Sequence, residues 1–528
     1  KFPFIYRGSC SDTNNLFREI ANNLLLLALL LGLQLSGQVY AEDLVIVNAL
    51  IVDGTGVPAV HGDIRVSNGK IAAVGDVNAE KGDRIVDAGG LVLAPGFIDT
   101  HSHMDIDLKS GSDALAALSQ GITTVIVGQD GDSSMTAASL EAFVTAKPVT
   151  INLATYTGHG SLRDQVMGDD VKRTATQDEI EKMSLLLKQD LKEGSLGLST
   201  GLEYDPGIYS STAEIIALAS AAADAGGRYI SHIRSEDRAL FEAVEEVITI
   251  ARETGISAQI SHIKLARIGL WGRASDLLRR LDQARQQGID ITADIYPYTY
   301  WQSSLTVLLP ERDFTDLNAA QYALDELAKP EGLTLTAFAP DPSLIGLTIA
   351  DIARLRDQTA AVTYLQLIKE AYSDPDRLVE YPESVIGISM TDADIAALVQ
   401  WPHTNLCSDG SASGGHPRGW GAFPRAIRLF VRETNLLTLA ELIHKMTALS
   451  AQHAGLAGRG LIRPGFAADL VLFDPLLITD RSTMDDPALM SEGVSKVWVD
   501  GQLVFADRQV SANRPGRFLS RKAGNPNL

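Results

Sequence analysis

Apolar residues recur along this chain in two different patterns. Short β-type runs occupy both ends: Leu44-Val-Ile-Val-Asn48 and Ile51-Val-Asp53 early, then Asp469-Leu-Val-Leu-Phe473, Val494-Ser-Lys-Val-Trp-Val499 and Gln502-Leu-Val-Phe505 late. Turn dipeptides punctuate them at Asp53-Gly54, Asn68-Gly69, Gly89-Gly90 and Asp500-Gly501. Two β-rich ends around a different middle predict one small β-sandwich assembled from 42–95 and 457–528.

Across 96–456, short apolar runs alternate with helix-period segments, the pattern of repeated βα units and a parallel sheet. Candidate strands begin near Gly96-Phe-Ile-Asp99, Thr123-Thr-Val-Ile-Val127, Val149-Thr-Ile-Asn-Leu153 and Leu196-Gly-Leu-Ser199. Four more begin near Tyr229-Ile-Ser231, Ala258-Gln-Ile-Ser261, Ile289-Asp-Ile-Thr292 and His403-Thr-Asn-Leu406. Eight such units predict an α/β protein with a closed (β/α)8 TIM barrel. The interval before the eighth strand is the longest, so 310–384 is expected to be an inserted helical segment or lid.

A chain of 528 residues accommodates one large domain with a smaller one appended. The 45 Lys and Arg against 66 Asp and Glu leave a net charge of −21, which repels a phosphate backbone and argues against nucleic acid as a partner. Cys10 and Cys407 are the only cysteines, too few for a disulfide framework or a CxxC zinc cluster. Any metal must be held by histidines and carboxylates.

Residues 1–41 read as a secretory signal peptide: Arg18, an apolar run over 24–35, and Val39-Tyr-Ala41 at the break. The run is about a dozen residues, short of the ~20 of a spanning helix, and no cysteine follows to take a lipid. Cleavage after Ala41 and export to a periplasm, without stable membrane insertion, are the expectation. An uncleaved N-terminal anchor is the alternative.

His101 and His103 stand at the end of the first candidate strand, where alternation puts both imidazoles on one face. His232 and His262 end the fifth and sixth strands in the matching settings Ile230-Ser-His232-Ile and Ile260-Ser-His262-Ile, one βα unit apart. Asp130 ends the second strand and Asp409 the eighth. A lone histidine at a strand end is ordinarily a core or hydrogen-bonding residue, but four histidines and two carboxylates at one barrel mouth point to a metal site. One or two Zn2+ or other divalent ions held there would acidify water toward a pKa of about 7 and polarise a carbonyl. Asp409 is then the general base that passes a proton to a leaving amine, which is amide hydrolysis of a small-molecule substrate.

These residues, together with Pro95-Gly-Phe-Ile-Asp-Thr-His-Ser-His103, Gly197-Leu-Ser-Thr-Gly-Leu-Glu-Tyr-Asp-Pro-Gly207, Ser231-His-Ile-Arg234, Ser261-His-Ile-Lys264, Tyr296-Pro-Tyr298, Ser408-Asp-Gly410 and His416-Pro-Arg-Gly419, resemble the amidohydrolase superfamily. Within it the chain resembles the N-acyl-D-amino-acid deacylases, or D-aminoacylases, over nearly all of its length after residue 41. The His-x-His motif indicates only the superfamily, whereas the later motifs are more specific. The resemblance implies hydrolysis of N-acyl-D-amino acids to a carboxylate and a free D-amino acid. It implies that His232 and His262 bind the tighter metal, that His101 and His103 line a weaker second site, and that Asp409 is the catalytic aspartate. Tyr204, Lys264 and Arg418 match residues that take the substrate's α-carboxylate. The chain departs from the pattern at Asp130, where better-known members place a cysteine thiolate. A carboxylate can bridge two ions there but is a harder ligand, so metal identity and number stay open. Cys407 is expected to be a small buried apolar residue.

Other readings compete. Gly197-Leu-Ser199-Thr-Gly201 fits a serine-hydrolase nucleophile elbow, although a Glu-Tyr-Asp-Pro-Gly loop follows it. Cyclic amidases of the superfamily usually bridge their metals with a modified lysine ending strand four, and 196–204 contains no lysine. A D-dipeptidase needs the same hydrolytic site, and a non-catalytic periplasmic binding protein could keep the barrel but has no need of Asp409. Glu203 and Asp205, beside the clamp, are expected to disfavour acidic substrate side chains.

Overall fold

The computed structural model describes residues 43–111, 113–373 and 382–521, and the expected signal peptide lies outside them. Its centre is a ring of parallel strands: β1 Phe97–Asp99, β2 Ile122–Val127, β3 Asn152–Thr155, β4 Gly197–Gly201, β5 Arg228–His232, β6 Ala258–Ile260, β7 Ile291–Ile295 and β8 Thr404–Leu406. Pairing runs unbroken from β1 to β3 and from β4 to β8. Thr157–Gly158, just past β3, pairs with β4, and a parallel bridge from Ser102 to Gly410 joins the ends of β1 and β8. Every residue of β2, β3 and β4 is buried, as strands covered on both faces require.

The helices between strands follow from local signals. Gln177–Glu193 starts at a Thr176–Glu179 capping box, ends at Gly194 in the left-handed conformation, and buries Met183, Leu187 and Leu191 at helical spacing. Inside the ring, Ile98, Ile126, Ala154, Leu196 and Ile230 pack with Ala451 and Ala454 of helix Ala448–Ala454.

Both ends of the described chain enter one nine-stranded sheet, the small β domain expected from the two termini. The halves join where Leu470–Phe473 pairs antiparallel with Val92–Pro95, which also pairs with Leu44–Ile51. Alternation assigns the faces: Leu93, Leu470, Leu472 and Trp498 share a core with Ile46 and Ile64. Val92, Ala94, Val471, Phe473 and Val497 belong instead to the large core that includes the barrel. The last described stretch leaves the sheet, with Gly516 and Phe518 bridging to Val149 and Leu153 beside β3.

The expected insertion lies between β7 and β8 and carries helices, Leu317–Tyr322, Ile349–Leu355 and Ala360–Ala371. It is an α+β subdomain spanning 300–388, wider than 310–384 and not purely helical. Glu383–Ile388 pairs antiparallel with Tyr300–Ser303 on one side and Leu333–Phe338 on the other. Leu335, Phe338, Tyr364, Leu367 and Val385 form a core of its own. Two of its three strands lie at or beyond the edges of the expected insertion, so the pairing has no local sequence signal. Among the described residues no helix is long and apolar enough to cross a membrane.

Trp498 is 1% exposed at the centre of the sheet's own core. Trp498→Ala is expected to cost about 3–5 kcal/mol, read as a lower urea midpoint with an unchanged m-value.

Candidate metal centre and active site

The six residues expected at the barrel mouth converge there. His232 is the last residue of β5, and the others follow the ends of β1, β2, β6 and β8 by two to four residues. Asp130, His262 and Asp409 have φ of 54°, 34° and 50°, a region that L-residues occupy at a cost and that recurs at functional sites. The turn into Asp130 needs Gly128: its φ is +71°, and an added Cβ would lie 2.2 Å from the Tyr156 carbonyl oxygen. Ser199 Oγ is buried and donates to the Gly128 carbonyl at 2.6 Å. That hydroxyl is committed to the turn, which removes the serine-nucleophile reading.

Asp130 stands between two imidazole pairs. Its Oδ2 lies 3.3 Å from His101 Nε2 and 3.4 Å from His103 Nε2. Its Oδ1 lies 3.4 Å from His262 Nε2, which is itself 3.1 Å from His232 Nδ1. Asp409 Oδ1 completes the first group at 3.5 Å from His101 Nε2 and 3.3 Å from His103 Nε2. Asp130 Oδ1 is buried without a hydrogen-bond partner, which is costly unless a cation meets it. His101, Asp130, His262 and Asp409 each offer a ligand atom within 4.8 Å of the others. This set of nitrogen and oxygen donors fits one or two divalent ions.

His232, Glu236 and His262 also crowd together within that distance. They are not a further centre, because Glu236 Oε1 contacts His262 Nδ1 at 3.0 Å, the nitrogen turned away from Asp130. Glu203 Oε2 meets His232 Nε2 in the same way at 3.0 Å. Each imidazole of this pair thus has a carboxylate on its outer nitrogen, which sets ring orientation and increases ligand basicity. The sequence reading passes over Glu236 and gives Glu203 only a repulsive role, since loop carboxylates keep no regular spacing to their histidines. Asp205 turns elsewhere and pairs with Arg312 at 2.8 Å and Lys172 at 3.4 Å.

Buried acids beneath the mouth hold it in place. Asp99 accepts from Ser408 N at 2.8 Å and Ser408 Oγ at 2.5 Å, fixing the residue before Asp409. Asp294 Oδ1 accepts from His262 N at 2.6 Å and from the buried Cys407 Sγ at 3.3 Å. Cys407 therefore contacts Asp294 and not the histidine cluster.

Tyr204, Lys264 and Arg418 line one pocket with Asp409, His232 and His262. The Tyr204 ring packs 4.2 Å from His232, and Lys264 Nζ lies 2.6 Å from Glu236 and 2.7 Å from His262 Nδ1. Arg418 Nη1 lies 2.6 Å from Asp409 Oδ2 and the guanidinium sits 4.7 Å from the Tyr296 ring centre. Arg418 Nε and the Tyr296 hydroxyl are buried without partners, two donors suited to a ligand's oxygens.

Burial raises a carboxylate and lowers an imidazole, so the shifts here report which neighbours outweigh it. Burial opposes charge on Asp409, yet Arg418, His262 and His101 hold it well below the ordinary carboxylate range. Asp130 is lowered too, its burial outweighed by His101 and His262. His103 is raised to about 10, since hydrogen bonds to Asp130 and Asp409 outweigh its burial. Burial and Lys264 oppose charge on His262, but Glu236, Asp409 and Asp130 raise it to about 10. Positive charge is thus drawn into the cluster, and a divalent ion binding there would displace protons.

The amidohydrolase family matches residues 84–331 and 390–505, leaving out most of the inserted subdomain. The chain is 35% identical over 505 residues to the N-acyl-D-glutamate deacylase of Alcaligenes xylosoxydans xylosoxydans, covering 91% of this chain and 97% of that protein. It is 31% identical over 509 residues to the D-aminoacylase of the same organism, covering 91% and 98%. Among solved structures, the N-acyl-D-glutamate deacylase of Bordetella bronchiseptica, complexed with zinc and a phosphonate mimic of the tetrahedral intermediate, superposes with a TM-score of 0.80 at 33% identity, covering 91% and 99%. The chain belongs to the amidohydrolase family, in its N-acyl-D-amino-acid deacylase branch, and is a hydrolase of linear amides.

Removing the carboxylate between the imidazole pairs, in Asp130→Ala, is expected to lower bound metal per chain, read by elemental analysis after dialysis. Glu236→Ala is expected to weaken metal affinity about 10–100-fold, read by competition with a chromophoric chelator.

Proposed function

We propose that this enzyme hydrolyses the amide bond of N-acyl-D-amino acids, releasing a carboxylate and a free D-amino acid, with Zn2+ as its metal. One observation carries the reading. Asp409 sits between the imidazole cluster and a cationic clamp, Oδ1 toward His101 and His103 and Oδ2 on Arg418.

In this reading His101, His103, Asp130, His232 and His262 hold zinc, which supplies an acidified water and a polarised carbonyl when bound. A substrate whose α-carboxylate engages Arg418, Lys264 and the Tyr204 hydroxyl brings its amide beside Asp409. Arg418 already offers a free Nε, so it can meet that carboxylate as it releases Asp409. Asp409, ionised by its neighbours, accepts a proton from the attacking water. It then delivers that proton to the departing amine, which cannot leave as an anion. The D preference is supported by the named relatives.

Paired N-acetyl-D- and N-acetyl-L-amino acids, assayed by amine release, test this. Turnover of the D series alone, lost on chelation and restored by zinc, is the expected result. Turnover of neither series would overturn the reading and direct attention to D-dipeptides and cyclic amides. Asp409→Asn is expected to lower kcat about 10²–10⁴-fold while bound metal is retained.

A further inference from the structure

The pocket around Asp409 has a second wall that no step above uses, made by Asp237, Trp301, Gln302, Val307 and Leu308. Asp237 is 6% exposed and its Oδ1 accepts from Ser235 Oγ at 2.7 Å and from the Arg238 backbone N–H. Among the described residues no cation lies within ion-pairing distance of it. The adjacent Arg238 turns away, donating through Nη2 to the Leu308 carbonyl at 2.8 Å and packing its guanidinium 4.8 Å from the Tyr322 ring centre. Among the described residues Arg238 pairs with no carboxylate and its Nε is buried without a partner, whereas Arg312 is held by Asp205 and by the Glu203 carbonyl.

The cations that do line the pocket are matched. Lys264 is held by Glu236, and Arg418 serves Asp409 or, in the deacylase reading, the substrate α-carboxylate. Glu203 adds a further carboxyl to the lining.

We propose that Asp237 is a specificity-determining residue that makes this pocket select D-amino acids with cationic side chains over acidic ones, N-acyl-D-arginine and N-acyl-D-lysine over N-acyl-D-glutamate and N-acyl-D-aspartate. The inference rests on the deacylase reading and names its substrate class. A cationic side chain meets the unpaired Asp237 carboxylate, its methylene stem packs on Val307 and Leu308, and Trp301 offers an aromatic surface. An acidic side chain instead brings another anion into a pocket whose lining cations, Lys264 and Arg418, are matched, and like charges across a desolvated contact discriminate strongly. This sets the chain apart from its relative named for D-glutamate, despite 35% identity.

The test is kcat/KM of the zinc-loaded enzyme for N-acetyl-D-arginine, -lysine, -leucine, -glutamate and -aspartate, with wild type and Asp237→Asn. The expected wild-type ratio of arginine to glutamate is on the order of 100. Asp237→Asn is expected to shrink that ratio at least about ten-fold, the change that a merely structural residue would not produce. Inhibition of wild type by free D-arginine against free D-glutamate gives the same ranking with no variant, should Asp237→Asn fold poorly. Turnover led by glutamate or aspartate, or a ratio unmoved in Asp237→Asn, would overturn the inference and leave the deacylase standing. No turnover anywhere in the series would overturn both.

Discussion

The carboxylate of Asp130, held between two pairs of imidazoles, is the constraint around which the barrel mouth is organised. A buried carboxylate survives only where positive charge or donors meet it. Here one oxygen faces His101 and His103 and the other faces His262. To reach that position the chain takes a glycine turn at Gly128, braced by Ser199 from β4, and holds Asp130 itself at positive φ. A serine that reads as a nucleophile motif is thus a brace for the turn that carries Asp130.

Around this centre, charge is matched in layers. Glu203 and Glu236 face the outer nitrogens of His232 and His262, and Arg418 faces Asp409. Buried ion pairs cost desolvation and are weak evidence of stabilisation by themselves. Their consequence is coupling: Glu236 contacts both His262 and Lys264, so the lysine and the imidazole share one carboxylate. A ligand drawing on Lys264 therefore acts on the orientation of His262 through a single side chain.

The inserted subdomain contributes Trp301, Val307 and Leu308 to the lining of the pocket that also holds His232 and His262. These three residues, like the barrel strands and the residues at their ends, lie within the stretch matched by the family, which leaves out 332–389.

Much of the molecule is legible in its sequence. Repeated βα units and strand-end histidines are local patterns, and the rule that barrel strands present their C-terminal ends to one mouth turns them into a cluster. That reasoning brought His101, His103, Asp130, His232, His262 and Asp409 together, because each is tied to a strand whose period is readable. The continuous sheet, the three-stranded insertion and the return of the tail to β3 were not readable, since each depends on pairing between segments far apart in the chain. Glu236 and Asp237, and the contact of Glu203 with His232, are not legible for a related reason: these residues sit on loops, where no periodicity links a residue to its partner. Sequence alone determined which chemistry the barrel mouth could support, and tertiary structure decided which carboxylates orient the histidines and which stays unpaired, because loop paths are set by packing.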